Sequence, residues 1–134
     1  MREYKGFTHE QRMANLRKVK KAIKDGIIED PKDLKCEICG QEHGVKEYHC
    51  YNYDPKVAMQ SMNVLCWKCH RNLHVLEIGE THKYYNYVVY YFKKVGEGEI
   101  FPPVYTKYYT KEDEIERRAN YEYRTYANKQ RTMG

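Results

Sequence analysis

The first amphipathic pattern of the chain lies near its amino terminus. Thr8 followed by Gln11 has the pattern of a capping box, and Asp25-Gly26 that of a helix end. Apolar residues recur between them at helical spacing, at Met13, Leu16, Val19, Ile23 and Ile27. This pattern predicts a helix over about residues 9–25 with one apolar face.

The pattern is ambiguous further along the chain. The run from Tyr84 to Phe92 is rich in aromatic and β-branched residues, which favours a strand, whereas its ending in Lys93-Lys94 and Gly96 favours a helix. Both alternatives stay open. Phe101-Pro102-Pro103 predicts a break.

Thr110 is expected to cap a final helix that is acidic in its first turn and basic near Lys129 and Arg131. Asp113–Arg117 and Glu114–Arg118 are candidate ion pairs one turn apart. The predicted apolar side of this helix consists of Ile115, Ala119, Tyr123, Tyr126 and Ala127.

Composition limits the size of the core. The chain has 134 residues, and its apolar content depends heavily on fifteen tyrosines, eleven of them between Tyr84 and Tyr126. A bound metal would therefore contribute much of the stability. The tyrosines either fill a thin core and its rim or form an adhesive surface, and a platform for stacking bases is a further possibility.

Charge permits a nucleic-acid partner, because the formal net charge is +5. Arg17, Lys18, Lys21 and Lys24 project from the polar side of the first helix, either as a solvated face or as contacts to phosphates. No apolar run is long enough for a membrane span, and the first residues lack the apolar stretch of a signal peptide. We therefore expect no membrane partner and a cytoplasmic location.

Two short cysteine motifs carry the strongest signal. Cys36-x2-Cys39 and Cys66-x2-Cys69 each predict a knuckle that directs two thiolates at one ion, and Gly40 supplies backbone freedom after the first. Four thiolates at about 2.3 Å form a closed tetrahedral zinc site, which has a structural role. In a reducing compartment, cysteines are more typical of metal ligands than of disulfides.

Two histidines follow the second knuckle. If a helix begins near Trp67, His70 and His74 lie one turn apart on the same side. They are either a surface pair or ligands of a second metal, and His49 in VKEYHCYNYDP adds a third imidazole that favours the second alternative.

The order CEICG, EYHCYNYDP and NVLCWKCHRNLH resembles the HNH nuclease family, whose ββα-metal core is often held by two CxxC knuckles. The match is most similar to a small phage-type branch and covers residues 12–74. The resemblance implies an α+β fold with a zinc-stapled HNH-like ββα-metal core at residues 31–78. A basic helical lead-in at 1–30 and a Tyr-rich extension at 79–134, ending in a helix, would flank this core.

The resemblance also implies roles for individual residues. His49, His70 and His74 match the ligands of a second divalent ion, which would be Mg, Mn, Ni or Zn. Cys50 lies at the position of the family's general base, and Ser61 at that of its middle asparagine, with Asn63 two residues further on. Removal of a general base typically costs about 10²–10⁴ in rate, so weak or lost hydrolysis is expected.

Three functions follow from these expectations. The first is an HNH-like zinc protein of phage type that interacts with DNA or, through the tyrosine-rich extension, with a host or defence protein as an inhibitor. The alternative is an active metal-dependent endonuclease that nicks DNA. The third is a zinc-ribbon-like scaffold with incidental histidines. A phage-encoded protein would act in the host cytoplasm, and its oligomeric state is left open.

Overall fold

The computed structural model describes residues 6–120 and shows a mixed α+β fold. Two strands form one antiparallel sheet in the described part, and one helix packs against both strands. The elements in chain order are α1 (His9–Lys24), β1 (Lys46–Cys50), β2 (Met62–Cys66), α2 (Trp67–Ile78) and α3 (Tyr85–Gly96). A further helix, α4, covers residues 111–120 of the described range.

The centre of the fold is a hairpin followed at once by a helix. β1 and β2 pair antiparallel, with Lys46 opposite Cys66 and Cys50 opposite Met62. β2 ends at Cys66 and α2 begins at Trp67, so no loop separates strand from helix. α2 contacts both strands and α3. Residues at the ends of the hairpin therefore lie close to the first turns of α2.

The predicted first helix and its capping box are confirmed. The Thr8 hydroxyl accepts a hydrogen bond from the Gln11 amide at 3.1 Å, and the Gln11 side chain accepts one from the Thr8 amide at 2.8 Å. The predicted apolar stripe is confirmed in part: Val19 is buried and Met13 and Ile23 are half-buried, whereas Leu16 is 43% exposed and Ile27, beyond the end of α1, is 74% exposed. The buried positions are Asn15, Val19 and Ala22.

The inward position of Asn15 brings it beside a polar group. Burial raises the pKa of the Cys50 thiol at the end of β1, and the neighbouring Asn15 side chain opposes this rise. The inward face of α1 thus combines apolar Val19 and Ala22 with a buried amide that lies beside a polar group.

The segment whose assignment was open is helical. Val88 and Tyr91 lie three residues apart and are each 1% exposed, whereas Tyr87 and Tyr90 are exposed. A strand would alternate every second residue, but burial here recurs at helical spacing. Tyr91 joins Cys36, Leu65, Cys66 and Cys69 in one buried cluster, against which Phe92 and Phe101 pack. The tyrosine-rich extension therefore contributes both to the core and to the surface.

The carboxyl-terminal helix is attached through polar contacts. Thr110 caps it as predicted, accepting a hydrogen bond from the Asp113 amide at 3.1 Å. Its predicted apolar side is wrong where it is described: Ile115 is 61% exposed, whereas the neighbouring Glu114 is only 4% exposed. Tyr123, Tyr126, Ala127, Lys129 and Arg131 lie outside the described residues.

Hydrogen bonds explain this orientation of α4. The Glu114 carboxylate accepts hydrogen bonds from the Gly44 amide at 2.9 Å and from the Tyr105 hydroxyl. Arg117 donates two hydrogen bonds to Asp33, at 3.0 and 2.9 Å, rather than contacting the predicted Asp113. Hydrogen bonds and ion pairs to residues distant in sequence, rather than packing of the predicted apolar side, therefore attach α4 to the rest of the fold.

Within residues 6–120, no helix combines the length and the apolar character that crossing a lipid bilayer requires.

Candidate metal centres

The four cysteines of the two CxxC motifs converge on one point. The sulfurs of Cys36, Cys39, Cys66 and Cys69 all lie within 4.8 Å of one another. The Cys39 and Cys66 sulfurs are 3.8 Å apart, which is about the separation of two ligands bound tetrahedrally at 2.3 Å. The set could hold a structural metal ion such as zinc.

Each knuckle is shaped by its backbone. Gly40 has a φ of +81°, a left-handed conformation that a side chain would disfavour, and its amide donates to the Cys36 carbonyl at 2.9 Å. In the second knuckle Cys66 is the N-cap of α2, and its sulfur accepts a hydrogen bond from the Cys69 amide at 3.4 Å. Thiolates at Cys66 and Cys69 are therefore stabilised by the positive end of the α2 dipole.

Burial encloses this centre. Cys69 is 0% exposed and Cys36 2% exposed. Hydrogen bonds from the thiols of Cys39, Cys66 and Cys69 hold the pKa of Cys36 well below its ordinary value. The Tyr91 hydroxyl lies 3.1 Å from the Cys69 sulfur. Cys39 is half-buried and the other three are buried. Four sulfur ligands leave no open coordination position, which favours a structural role over a catalytic one.

Three histidines form a second cluster on the other side of the hairpin–helix junction. His49 lies on β1, and His70 and His74 lie one turn apart on α2. One ring nitrogen of each lies within 4.8 Å of the other two, and the ring centroids are 4.9 to 5.4 Å apart. His49 is 6% exposed, whereas the other two are half-buried. The cluster is thus accessible from the side of α2.

Two carboxylates that the sequence analysis missed lie beside these histidines. Glu47 Oε1 is 3.9 Å from His70 Nδ1, and Glu77 Oε2 is 3.4 Å from His74 Nδ1. The neighbouring His70 imidazole lowers the pKa of Glu47. Carboxylates in this position orient metal-binding imidazoles. The available signal was spacing: Glu47 precedes His49 by two residues on one strand face, and Glu77 follows His74 by one helical turn.

Cys50, at the predicted base position, points elsewhere. Successive residues of a strand face opposite sides, so Cys50 and His49 lie on opposite faces of β1. The Cys50 thiol donates to the Asn52 carbonyl at 3.1 Å, and burial raises its pKa. The Ser61 hydroxyl likewise donates to a loop carbonyl, that of Val57, at 2.7 Å.

Asn63 is the asparagine that the structure places next to the histidine cluster. It is directly opposite His49 in the antiparallel register of the hairpin. Directly opposite residues share one face of a sheet, so Asn63 and His49 are on the same face.

The predicted basic residues lie on the surface of α1, which precedes the four cysteines and the three histidines in the sequence. Arg17, Lys18, Lys21 and Lys24 are all exposed. Their last two members also lie in the final turn of α1, where positive charge is favoured by the helix dipole.

No family model, no curated protein and no solved structure matches this chain.

Proposed function

We propose that this chain is an HNH-like metal protein that binds DNA, with a structural zinc at the four cysteines and a second divalent ion at the three histidines. Phosphodiester hydrolysis by this protein is weak or lost. One observation carries the proposal: His49, His70 and His74 converge at a hairpin–helix junction while the adjacent Cys50 faces away from them.

The histidine cluster has the donor set for a transition-metal or zinc ion. Three imidazole nitrogens within 4.8 Å of one another suit a single ion, and three protein ligands leave a coordination position open. When bound, the ion would supply Lewis-acid stabilisation of negative charge on a phosphate. Glu47 and Glu77 favour the Nε2 atoms of His70 and His74 as ligands, since the Nδ1 atoms face the carboxylates.

Cys50 supports the loss of efficient hydrolysis. A general base must lie within hydrogen-bond reach of the attacking water. The Cys50 thiol instead donates a hydrogen bond to the carbonyl of Asn52 in the following loop. It lies on the face of β1 opposite His49. Loss of this catalytic contribution corresponds to about 10²–10⁴ in rate.

Positive charge supports DNA as the partner. The formal net charge is +5, and the basic face of α1 is exposed. Neutralisation of phosphates by such side chains makes binding fall steeply with salt. Changing Lys21 to Gln should weaken binding to all sequences and lower the salt slope by about one.

An active endonuclease is the second candidate function. Two features favour it. A three-histidine site would leave a coordination position open, and Asn63 lies on the same face of the sheet as His49. The two candidates differ in turnover rather than in metal content or DNA binding.

Metal counting and plasmid nicking together test the proposal. Elemental analysis of the wild type should give two metal equivalents, and His70→Ala should give one. His9→Ala, which changes a histidine outside the cluster, is the matched control and should retain two. One equivalent in all three proteins would exclude the second centre.

Nicking then separates the two candidates. With Mg²⁺, Mn²⁺ or Ni²⁺ added, the wild type should nick little more than His70→Ala. Cys50→His should nick no faster than the wild type, because residue 50 lies on the face of β1 opposite the histidine cluster. Efficient wild-type nicking that disappears in His70→Ala would instead support the active endonuclease.

The protein-partner prediction has its own signature. An interaction with a host or defence protein, as the resemblance to the phage-type branch implies, would tolerate salt that dissociates DNA. Salt-insensitive binding, or failure to bind DNA at low salt, would argue against the proposal and for a protein partner.

A further inference from the structure

A groove with a volume of about 810 Å³ lies between α2 and the segment that leads into α3. Its size is within the range of about 300–1,000 Å³ that is typical of small-molecule sites. One wall is a face of α2, on which Trp67, Arg71 and Val75 recur one turn apart. The other wall is formed by the segment around Lys83 and by the start of α3.

Aromatic side chains line both walls of the groove. Tyr84 is 55% exposed and Tyr87 57% exposed, although both are large aromatic side chains. Trp67 on α2 is half-buried, with the Arg71 guanidinium 4.4 Å from its ring centroid. Exposed rings of this kind provide surfaces on which unstacked bases can stack.

The charge of the groove has one sign. Lys68, Arg71 and Lys83 line it, and Lys83 Nζ lies 4.9 Å from the centroid of the Tyr84 ring. Among the described residues that line it, none is acidic. Cations interleaved with aromatic rings match a ligand that alternates phosphates with planar bases.

The groove reaches the histidine cluster through a shared residue. His74 belongs to the cluster and also lines the groove. A strand that occupies the groove would therefore lead directly to the second metal centre.

We propose that this groove binds the unpaired nucleotides of a single-stranded DNA segment. Trp67, Tyr84 and Tyr87 stack on the bases, while Lys68, Arg71 and Lys83 contact the phosphates. The inference deepens the proposed function by naming its substrate class, and it rests on that function only for the role of the adjacent metal centre. A base-paired duplex keeps its bases stacked and cannot offer their faces to these rings.

Trp67 is the only tryptophan of the chain, so its fluorescence reports on the groove directly. Titration of the full-length protein with a short oligothymidylate should quench this fluorescence in a saturable manner, with an affinity that falls as salt rises. A hairpin duplex of equal charge should quench it at least about tenfold less effectively, as the loss of one stacked base predicts.

A double variant tests the stacking rings. Tyr84→Ala combined with Tyr87→Ala should weaken oligothymidylate binding by about tenfold or more. Tyr108→Ala is the matched control, since Tyr108 is 82% exposed and also lies beside a lysine, with Lys107 Nζ 5.0 Å from its ring centroid. It should bind like the wild type. Because all three tyrosines are exposed, the variants should keep the wild-type unfolding temperature.

Three results would overturn the inference. The first is that the double variant and Tyr108→Ala bind the oligothymidylate with equal affinity. The second is that the hairpin duplex binds as strongly as the single strand. The third is that poly-glutamate of equal charge displaces the oligothymidylate. The last result would point to an acidic protein segment instead.

The two proposals can fail separately. His70→Ala, which does not line the groove, should still show quenching of Trp67. If wild type and His70→Ala bind equal metal, the second centre fails while the groove is retained. If two metals bind but Trp67 does not respond to the oligothymidylate, the groove alone is excluded.

Discussion

The hydroxyl of Tyr91 lies 3.1 Å from the sulfur of Cys69 and so joins the tyrosine-rich extension to the four-cysteine centre. Tyr91 is on α3, at 1% exposure, and Cys69 is in the first turn of α2, at 0% exposure. A phenol that donates a hydrogen bond to a thiolate spreads the negative charge of a sulfur-rich site. The extension therefore acts as a supporting layer for the four-cysteine cluster.

Tyr91→Phe should weaken retention of zinc about 10- to 100-fold, because it removes the hydroxyl beside Cys69 and leaves the ring in the core. Competition with a colorimetric zinc chelator measures this change. Tyr90→Phe, at the 53% exposed neighbouring position, is the matched control and should behave like the wild type. Equal retention by both variants would show that the hydroxyl contributes nothing.

Removal of zinc should unfold the hairpin–helix core. Structural zinc contributes on the order of 10–16 kcal/mol in small zinc domains, and three of its four ligands belong to the buried cluster around Leu65. Cys36→Ser should lose zinc and lack a cooperative thermal transition by circular dichroism. Cys50→Ser replaces a buried cysteine outside the set and should retain both zinc and the transition. Retention of zinc by Cys36→Ser would contradict the assignment.

Gly44→Ala should destabilise the docking of the segment after Pro102. Gly44 has a φ of +76°, and a Cβ there would lie 2.6 Å from the Val104 carbonyl oxygen. Strain and overpacking together should lower the free energy of unfolding by about 2–4 kcal/mol. Gly98→Ala separates the two causes, because Gly98 has a φ of +95° but its Cβ would meet open space. Urea unfolding should give a clearly lower free energy of unfolding for Gly44→Ala than for Gly98→Ala. Equal losses of unfolding free energy in the two variants would exclude the steric clash with Val104 as a cause.

Acid should weaken the attachment of α4 through Glu114. Burial raises the pKa of Glu114, but hydrogen bonds from Tyr105 and Gly44 outweigh it and hold the pKa below its ordinary value. The basic side chains that face it are His43, Lys46 and Arg118.

Because the folded pKa is depressed, Glu114 stabilises the protein fully above the unfolded pKa of about 4.3 and loses this effect as pH falls through the folded pKa. Glu114→Gln should therefore lower the free energy of unfolding at neutral pH by about 1.5–3 kcal/mol. As pH falls, the variant should lose less unfolding free energy than the wild type does. Thermal unfolding across pH 3–7 measures both effects in roughly the window where carboxylates titrate. Glu116→Gln, at an exposed position of α4, should follow the wild-type curve.

Several features could be predicted because they depend on neighbours in sequence. A capping box requires only Thr8 and Gln11, and a CxxC knuckle requires only its cysteines and Gly40. The pairing of the two knuckles also follows, since a closed tetrahedral site needs four ligands.

Other features depend on distant partners and were missed or left open. Burial of Glu114 requires the Gly44 amide, and the helical state of the tyrosine-rich run requires a core for Tyr91. Asn15 is buried beside Cys50, a residue 35 positions further along the chain.

The sequence by itself determined the local elements and the ligand types: one capped basic helix, four sulfur ligands and three histidines at suggestive spacing. Only the tertiary structure decided which side chains share a face. It brought His49 to His70 and His74, turned Cys50 away, and opened the groove beside Trp67. The physical reason is that spacing along one element sets local geometry, whereas the hairpin register and the packing of α2 and α3 set distances between elements.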